Sequence, residues 1–227
     1  MLFQIILISA IFMQADSNAC KPEKNSSMKF MMRHSVAPYE FERIMKSPAM
    51  IEDQVEEIDS GNGKLLVTRG DYHAIFPIKK EKLAAAITDY EHYASFMPRV
   101  ANAKVICRNS TPVPYYKCEQ YLKIKFLGIG VEYNYIVNIY SPVSGDKNVF
   151  ATKWNLEESI DGAFADCYGS WYLKEFEKDG QTYTYMRYFL STVFKKYNSA
   201  IKFMMRNFAE NDIKALFKSV YSEAQKK

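Results

Sequence analysis

The sequence predicts an α+β fold: a curved antiparallel sheet of seven strands, two short helices after the first strand, and a long C-terminal helix laid across the sheet. Three observations carry this. Between residues 103 and 194, six β-branched and aromatic runs are separated by Gly, Pro, Asn or Asp. Ahead of them, residues 79–97 are rich in helix formers. Behind them, residues 197–225 repeat apolar side chains every three or four positions. Strands and helices do not alternate along the chain, which excludes a parallel βαβ sheet, and no internal repeat is present.

Leu2 to Ala15 reads LFQIILISAIFMQA, an apolar run too short to span a bilayer and followed by small residues, so residues 1–19 are expected to be an export signal. Ala19-Cys20 is like the end of a bacterial lipobox, which makes lipidation of Cys20, and with it a membrane anchor, a second expectation. Residues 20–63 are expected to form an N-terminal arm. Its first part is polar; then Phe41, Ile44, Met45, Met50, Ile51, Val55 and Ile58 recur at helical spacing, predicting one or two short helices broken near Pro48.

The turn Ser60-Gly61-Asn62-Gly63 opens the main domain, residues 64–227. Its first strand covers 64–76 and stops at Pro77. A helix over 79–93 places Leu83, Ala84, Ile87 and Tyr90 on one side, and a short second helix ends at Pro98. Strands are predicted over 103–108, 115–127, 131–140, 148–156, 165–176 and 182–194, with hairpin turns at Gly145-Asp146 and Asp179-Gly180. Cys107 and Cys118 flank the turn-like stretch 109–114 symmetrically, so a simple register sets them opposite each other in a cross-strand disulfide; the alternative is two free apolar thiols, as expected of Cys167.

Composition narrows the function. Lys and Arg exceed Asp and Glu by only 4 in 227 residues, too little to imply nucleic acid. Four Cys and three His stand in no zinc-motif spacing, and no metal or cofactor is expected. His73 and His92 are expected at an edge or surface, and no Ser, Cys or Lys has a base at motif spacing. Residues 195–227 hold eight Lys or Arg against three Asp or Glu. That basic helix is either simply solvated or meets an anionic membrane surface.

A straight helix about 43 Å long cannot follow a bent sheet throughout, so a tunnel between the two is expected. Polarity selects the strand positions that face it: Cys118, Leu122, Ile124 and Phe126 against Lys117, Glu119, Lys123 and Lys125, then Val131, Tyr133, Tyr135, Val137 and Ile139, then Phe150, Thr152, Trp154 and Leu156. The residues expected to bind the ligand are Leu122, Ile124, Phe126, Tyr133, Tyr135, Phe150, Trp154 and Trp171 from the strands and Met205 and Phe208 from the last helix. Arg187 is added in case it points inward toward a ligand carboxylate or phosphate; outward pairing with a carboxylate is its other reading.

Residues 78–105, IKKEKLAAAITDYEHYASFMPRVANAKV, with Asp89, Tyr90, Phe96 and Pro98 at the matching places, resemble the opening of START-like (helix-grip, SRPBCC) domains of the polyketide cyclase and coenzyme-Q-binding branch. Gly169-Ser170-Trp171-Tyr172-Leu173 and the C-terminal helix are similar to later parts of the same family, over residues 64–222 in all. The Pro-Trp-Pro and Arg-Asp signature of closer lipid-transfer relatives is missing. Together with the expected export signal, the resemblance leads to the expectation of an exported domain that holds a lipid or other hydrophobic small molecule without reaction; a cyclase or dehydratase, or a protein-binding adaptor, are the alternatives.

Overall fold

Among the described residues, eight strands, one more than expected, make a single antiparallel sheet in the order β1-β2-β8-β7-β6-β5-β4-β3. The computed structural model describes residues 38–110, 114–126, 129–141 and 145–227; the expected export signal and Cys20 lie outside the described residues. The strands are β1 (Ala49–Asp59), β2 (Lys64–Phe76), β3 (Val100–Asn109), β4 (Tyr115–Phe126), β5 (Ile129–Tyr140), β6 (Val149–Ser159), β7 (Phe164–Lys178) and β8 (Gln181–Phe194). The helices are α1 (Pro38–Lys46), α2 (Lys80–Ile87), α3 (Tyr93–Phe96) and α4 (Ser199–Ala224), with a 3-10 turn at Tyr90–His92 before α3.

The added strand corrects the sequence reading. Residues 49–59, expected to be helical, form β1, which pairs with β2 from Ala49↔His73 to Asp59↔Lys64. The spacing of Met50, Ile51, Val55 and Ile58 satisfies a helix, but the open edge of β2 offers a full ladder of backbone partners, and tertiary pairing overrides a weak local preference. The Ser60–Gly63 turn therefore joins two strands, and the Ser60 N–H donates to the Gly63 carbonyl at 3.0 Å. As an edge, β1 carries Asp53, Glu56, Glu57 and Asp59, charges that discourage pairing with another sheet. At the other hairpin, Asp179 (φ 52°) and Gly180 (φ 74°) both adopt the left-handed region, the two-residue turn that matches strand twist.

The β3–β4 ladder contains a second correction. Val105 pairs with Cys118, a bulge follows, and Cys107 then stands opposite Lys117. The single extra residue moves Cys107 out of line with Cys118. Cys107 is disulfide-bonded, but Cys118 and Cys167 are buried free thiols, so the expected Cys107–Cys118 bridge does not form.

α4 begins on a cap: the Asn198 side-chain oxygen accepts the Ile201 N–H at 2.9 Å. It then lays Phe217, Val220 and Ala224 into a core with Leu66, Tyr72, Leu83, Ile87, Leu173 and Met186. This is the concave face of the sheet. On the other face α1 packs Ile44 against Ile75 and Tyr185.

Beside that contact lies a buried polar cluster. Arg187 donates to both Asp71 oxygens at 2.7 Å, His73 Nε2 lies 3.0 Å from Asp71 Oδ1, and the Tyr185 hydroxyl is 2.6 Å from His73 Nδ1. Burial opposes ionisation of Asp71, but the hydrogen bonds of His73 and Arg187 outweigh it and bring the carboxyl down to about 2. His73, expected at an edge, is fully buried because β1 extends the sheet past it.

Candidate functional site

A cavity of about 240 Å³ lies between α4 and the concave face. Alternation along each strand supplies its walls: Leu122 from β4, Tyr135, Val137 and Ile139 from β5, Trp154 from β6, Trp171 from β7, and Tyr188 and Leu190 from β8. Tyr90, Tyr93 and Met97 close it from the short helical segments, and Ile213 and Leu216 from α4. Both tryptophans of the chain line it. Tyr188 organises the rings: its centroid lies 4.4 Å from that of Trp171 and 5.7 Å from that of Trp154.

Few polar groups interrupt this surface. The Tyr135 hydroxyl donates to Gln120 Oε1 at 2.9 Å, and the Tyr93 hydroxyl donates to the Ile87 carbonyl. Thr192 Oγ1 lies 3.8 Å from Cys167 Sγ. At the rim, Arg99 and Asp212 form an ion pair at 2.5 Å and are partly exposed, tying the turn before β3 to the middle of α4. Arg99 adopts φ 67°, unusual for a residue with a Cβ; the Lys123 N–H donating to its carbonyl at 2.8 Å and the Asp212 pair hold it there.

The cavity's buried thiol and phenols are held neutral. Burial pushes the Cys167 thiol up to about 12 and raises the phenols of Tyr90, Tyr93, Tyr135 and Tyr188 above their ordinary value. Cys118, outside the lining, is likewise pushed up to about 12 by burial. A thiol reagent at pH 8 is therefore expected to leave Cys118 and Cys167 unmodified in the folded protein and to release both in urea. Rapid modification of either under native conditions would contradict their burial.

Neither a family model nor a curated protein sequence matches the chain. Solved structures do. A START superfamily protein from Mycobacterium smegmatis superposes with TM-score 0.52 at 13% identity, covering 70% of this chain and 97% of that one. The ZhuI aromatase/cyclase from Streptomyces sp. R1128 gives 0.51 at 13% identity over 70% and 94%. A STAR-related lipid transfer protein from Xanthomonas axonopodis gives 0.52 at 10% identity over 76% and 98%. The chain has the START-like helix-grip fold.

In this helix-grip cavity the sequence-predicted residues divide. Leu122, Tyr135, Trp154 and Trp171 line it. Ile124, Tyr133, Phe150 and Met205 belong to the adjoining apolar core instead; the Tyr133 ring packs on Phe164 and Phe194, with centroids 4.9 and 5.7 Å away. The side chains of Phe126 and Phe208 lie outside the described residues. Arg187 turns to the convex face and its carboxylate partner Asp71, so it does not reach the cavity. Tyr90, Gln120 and Tyr188 were not foreseen as site residues, and Thr152, read as facing the tunnel, was not counted among the ligand-binding ones. Alternation puts Gln120 inward too, but its polarity hid it, and Tyr90 reads as one more apolar position of a helix.

Proposed function

We propose that this protein binds a hydrophobic small molecule non-covalently in the cavity under α4. The observation that carries the proposal is the wall itself, aromatic rings and hydrocarbon broken by few polar atoms and by no charge except the rim pair Arg99–Asp212. The helix-grip neighbours that are named for lipid transfer and for an aromatase/cyclase support it, since both names imply lipophilic guests on this fold. Export belongs to the same proposal, supported by the apolar run Leu2 to Ala15 and by the disulfide at Cys107, a bond favoured in oxidising compartments. Contact with an anionic membrane through α4 would fall to Arg206 and Lys218, because Lys202, Lys214, Lys226 and Lys227 are engaged in ion pairs with Glu57, Glu210, Glu223 and Asp89.

Native mass spectrometry of gently purified full-length protein tests the binding. A co-purifying lipophile, lost on denaturation without a covalent adduct, is the expected result. Trp154→Ala removes one wall and is expected to reduce retention about tenfold. Protein that carries no guest and takes up none from a mixture of hydrophobic compounds would refute it.

A further inference from the structure

The chain has four cysteines, and three of them stand among the described residues. Cys118 and Cys167 are free thiols, whereas Cys107 is disulfide-bonded. Elimination leaves Cys20 as the sulfur to pair with it, the same sulfur that the lipobox-like Ala19-Cys20 offers for lipidation.

The face on which Cys107 lies carries a second observation. Its cross-strand neighbour Lys117 alternates with the inward Cys118 and pairs in turn with Asn138, so Cys107 is on the convex side. On that side Tyr115, Tyr140, Lys153 and Ser170 are successive partners across β4, β5, β6 and β7. All four are buried, at 2%, 4%, 8% and 2% exposure. A lysine and two tyrosines on a bare sheet face would meet water. α1 covers the far end of this face, at Ile75, Tyr172 and Tyr185, while α2, α3 and α4 pack on the concave side. Residues 111–113 and 142–144 adjoin the Tyr115–Tyr140 end alone. Cover for the whole row has to come from the chain ahead of Pro38.

Reach and composition agree with this. From Cys20 to Pro38 is 18 residues, about 60 Å when extended. From β3 to β7 is four strand spacings, about 19 Å. α1 leads into β1 at the β2 edge, and its Glu42 accepts from Lys178 of β7 at 2.9 Å, so the chain enters α1 from the β7 side. The same 18 residues hold Met28, Phe30, Met31 and Met32, adaptable apolar side chains suited to a tyrosine-lined surface.

We infer that a Cys20–Cys107 disulfide pins residues 20–37 across the convex face, from the β3 edge to α1, as a strap over the Tyr115–Ser170 row. The two thiols give up two protons and two electrons to a disulfide oxidant, which leaves as two thiols; the bridge thus rests on the export part of the reading above and on nothing about the guest. With its sulfur in that bond, Cys20 carries no lipid thioether, and the protein is stapled to itself instead of anchored to a membrane.

Full-length protein, expressed with residues 1–19 in a bacterial host and equilibrated with reduced and oxidised glutathione, tests this. Tryptic mass spectrometry without reductant is expected to find the peptide bearing Cys20 joined to Val105–Arg108, the two separating on reduction. That map needs no variant. In the native protein trypsin is expected to cut after Lys29 and Arg33 about tenfold more slowly than in Cys20→Ser, because the strap must open first. The same variant is expected to melt about 5–10 °C lower, since the bridge closes a loop of about 90 residues. A lipid thioether on Cys20, a free Cys20 thiol, or Cys107 joined to a second copy would overturn the bridge. Equal cleavage rates in the bridged protein and in Cys20→Ser would overturn the strap. Either failure leaves the cavity and its guest untouched, because neither readout involves them.

Discussion

Asp71→Asn is expected to cost about 3–5 kcal/mol of folding stability, read as a lower urea midpoint at pH 7. The substitution keeps the volume but takes the negative charge from the buried Arg187 guanidinium and breaks a bidentate pair held at 2.7 Å on both sides. Replacing both members by apolar residues, as Asp71→Leu with Arg187→Met, is expected to restore much of the loss, because the burial penalty of two ions disappears with them. A single-variant loss under about 1 kcal/mol would show that the carboxylate is not what neutralises Arg187.

The same carboxyl shapes the acid limb. Its folded-state value, about 2, lies below the ordinary value of 3.8, so the native state binds this proton more weakly than the unfolded chain does. The contribution of Asp71 is therefore complete above about pH 4 and is lost as pH falls toward 2, a change of roughly 2 kcal/mol. In Asp71→Asn that part of the acid dependence is expected to vanish. An unchanged acid limb would assign it to other groups.

Gly169→Ala is the second large effect. A Cβ at this position on β7 would sit well inside 3.0 Å of both the Trp154 ring and the Phe189 carbonyl oxygen. The indole can swing aside, but only into the cavity; the carbonyl belongs to the paired strand β8 and has nowhere to go. We expect a loss of about 3 kcal/mol, or about 6–12 °C in Tm, with ligand retention down about tenfold as Trp154 fills the space. A variant that melts within about 2 °C of the parent and keeps its guest would show that the slot is not tight.

The face of β4 was legible because its solvent side is charged. Lys117, Glu119 and Lys123 leave no doubt which way Leu122 points, and the same alternation carries Tyr135 and Trp154 into the cavity. β2 and β8 gave no such contrast. Their convex side is buried as well, so His73 and Arg187 sit in a second interior that a one-sided sheet does not anticipate. β1 was hidden by apolar residues whose spacing suits a helix and by an edge rich in carboxylates, which reads as solvated helix surface. The Cys107–Cys118 pairing failed over one bulged residue, a register detail with no compositional mark. Ile124 and Tyr133 show the remaining limit: alternation says which way a side chain faces, but whether it meets empty space or α4 and its neighbours depends on where helix and sheet part company.

With both indoles in the cavity wall and none elsewhere in the chain, the molecule carries a built-in optical probe. Indole emission, excited at wavelengths that tyrosine does not absorb, originates at the chamber alone, so a change in its colour or yield when a guest enters or leaves reports on that chamber. Occupancy is thereby observable in unlabelled material, in real time, for guests that do not themselves absorb or emit in that band.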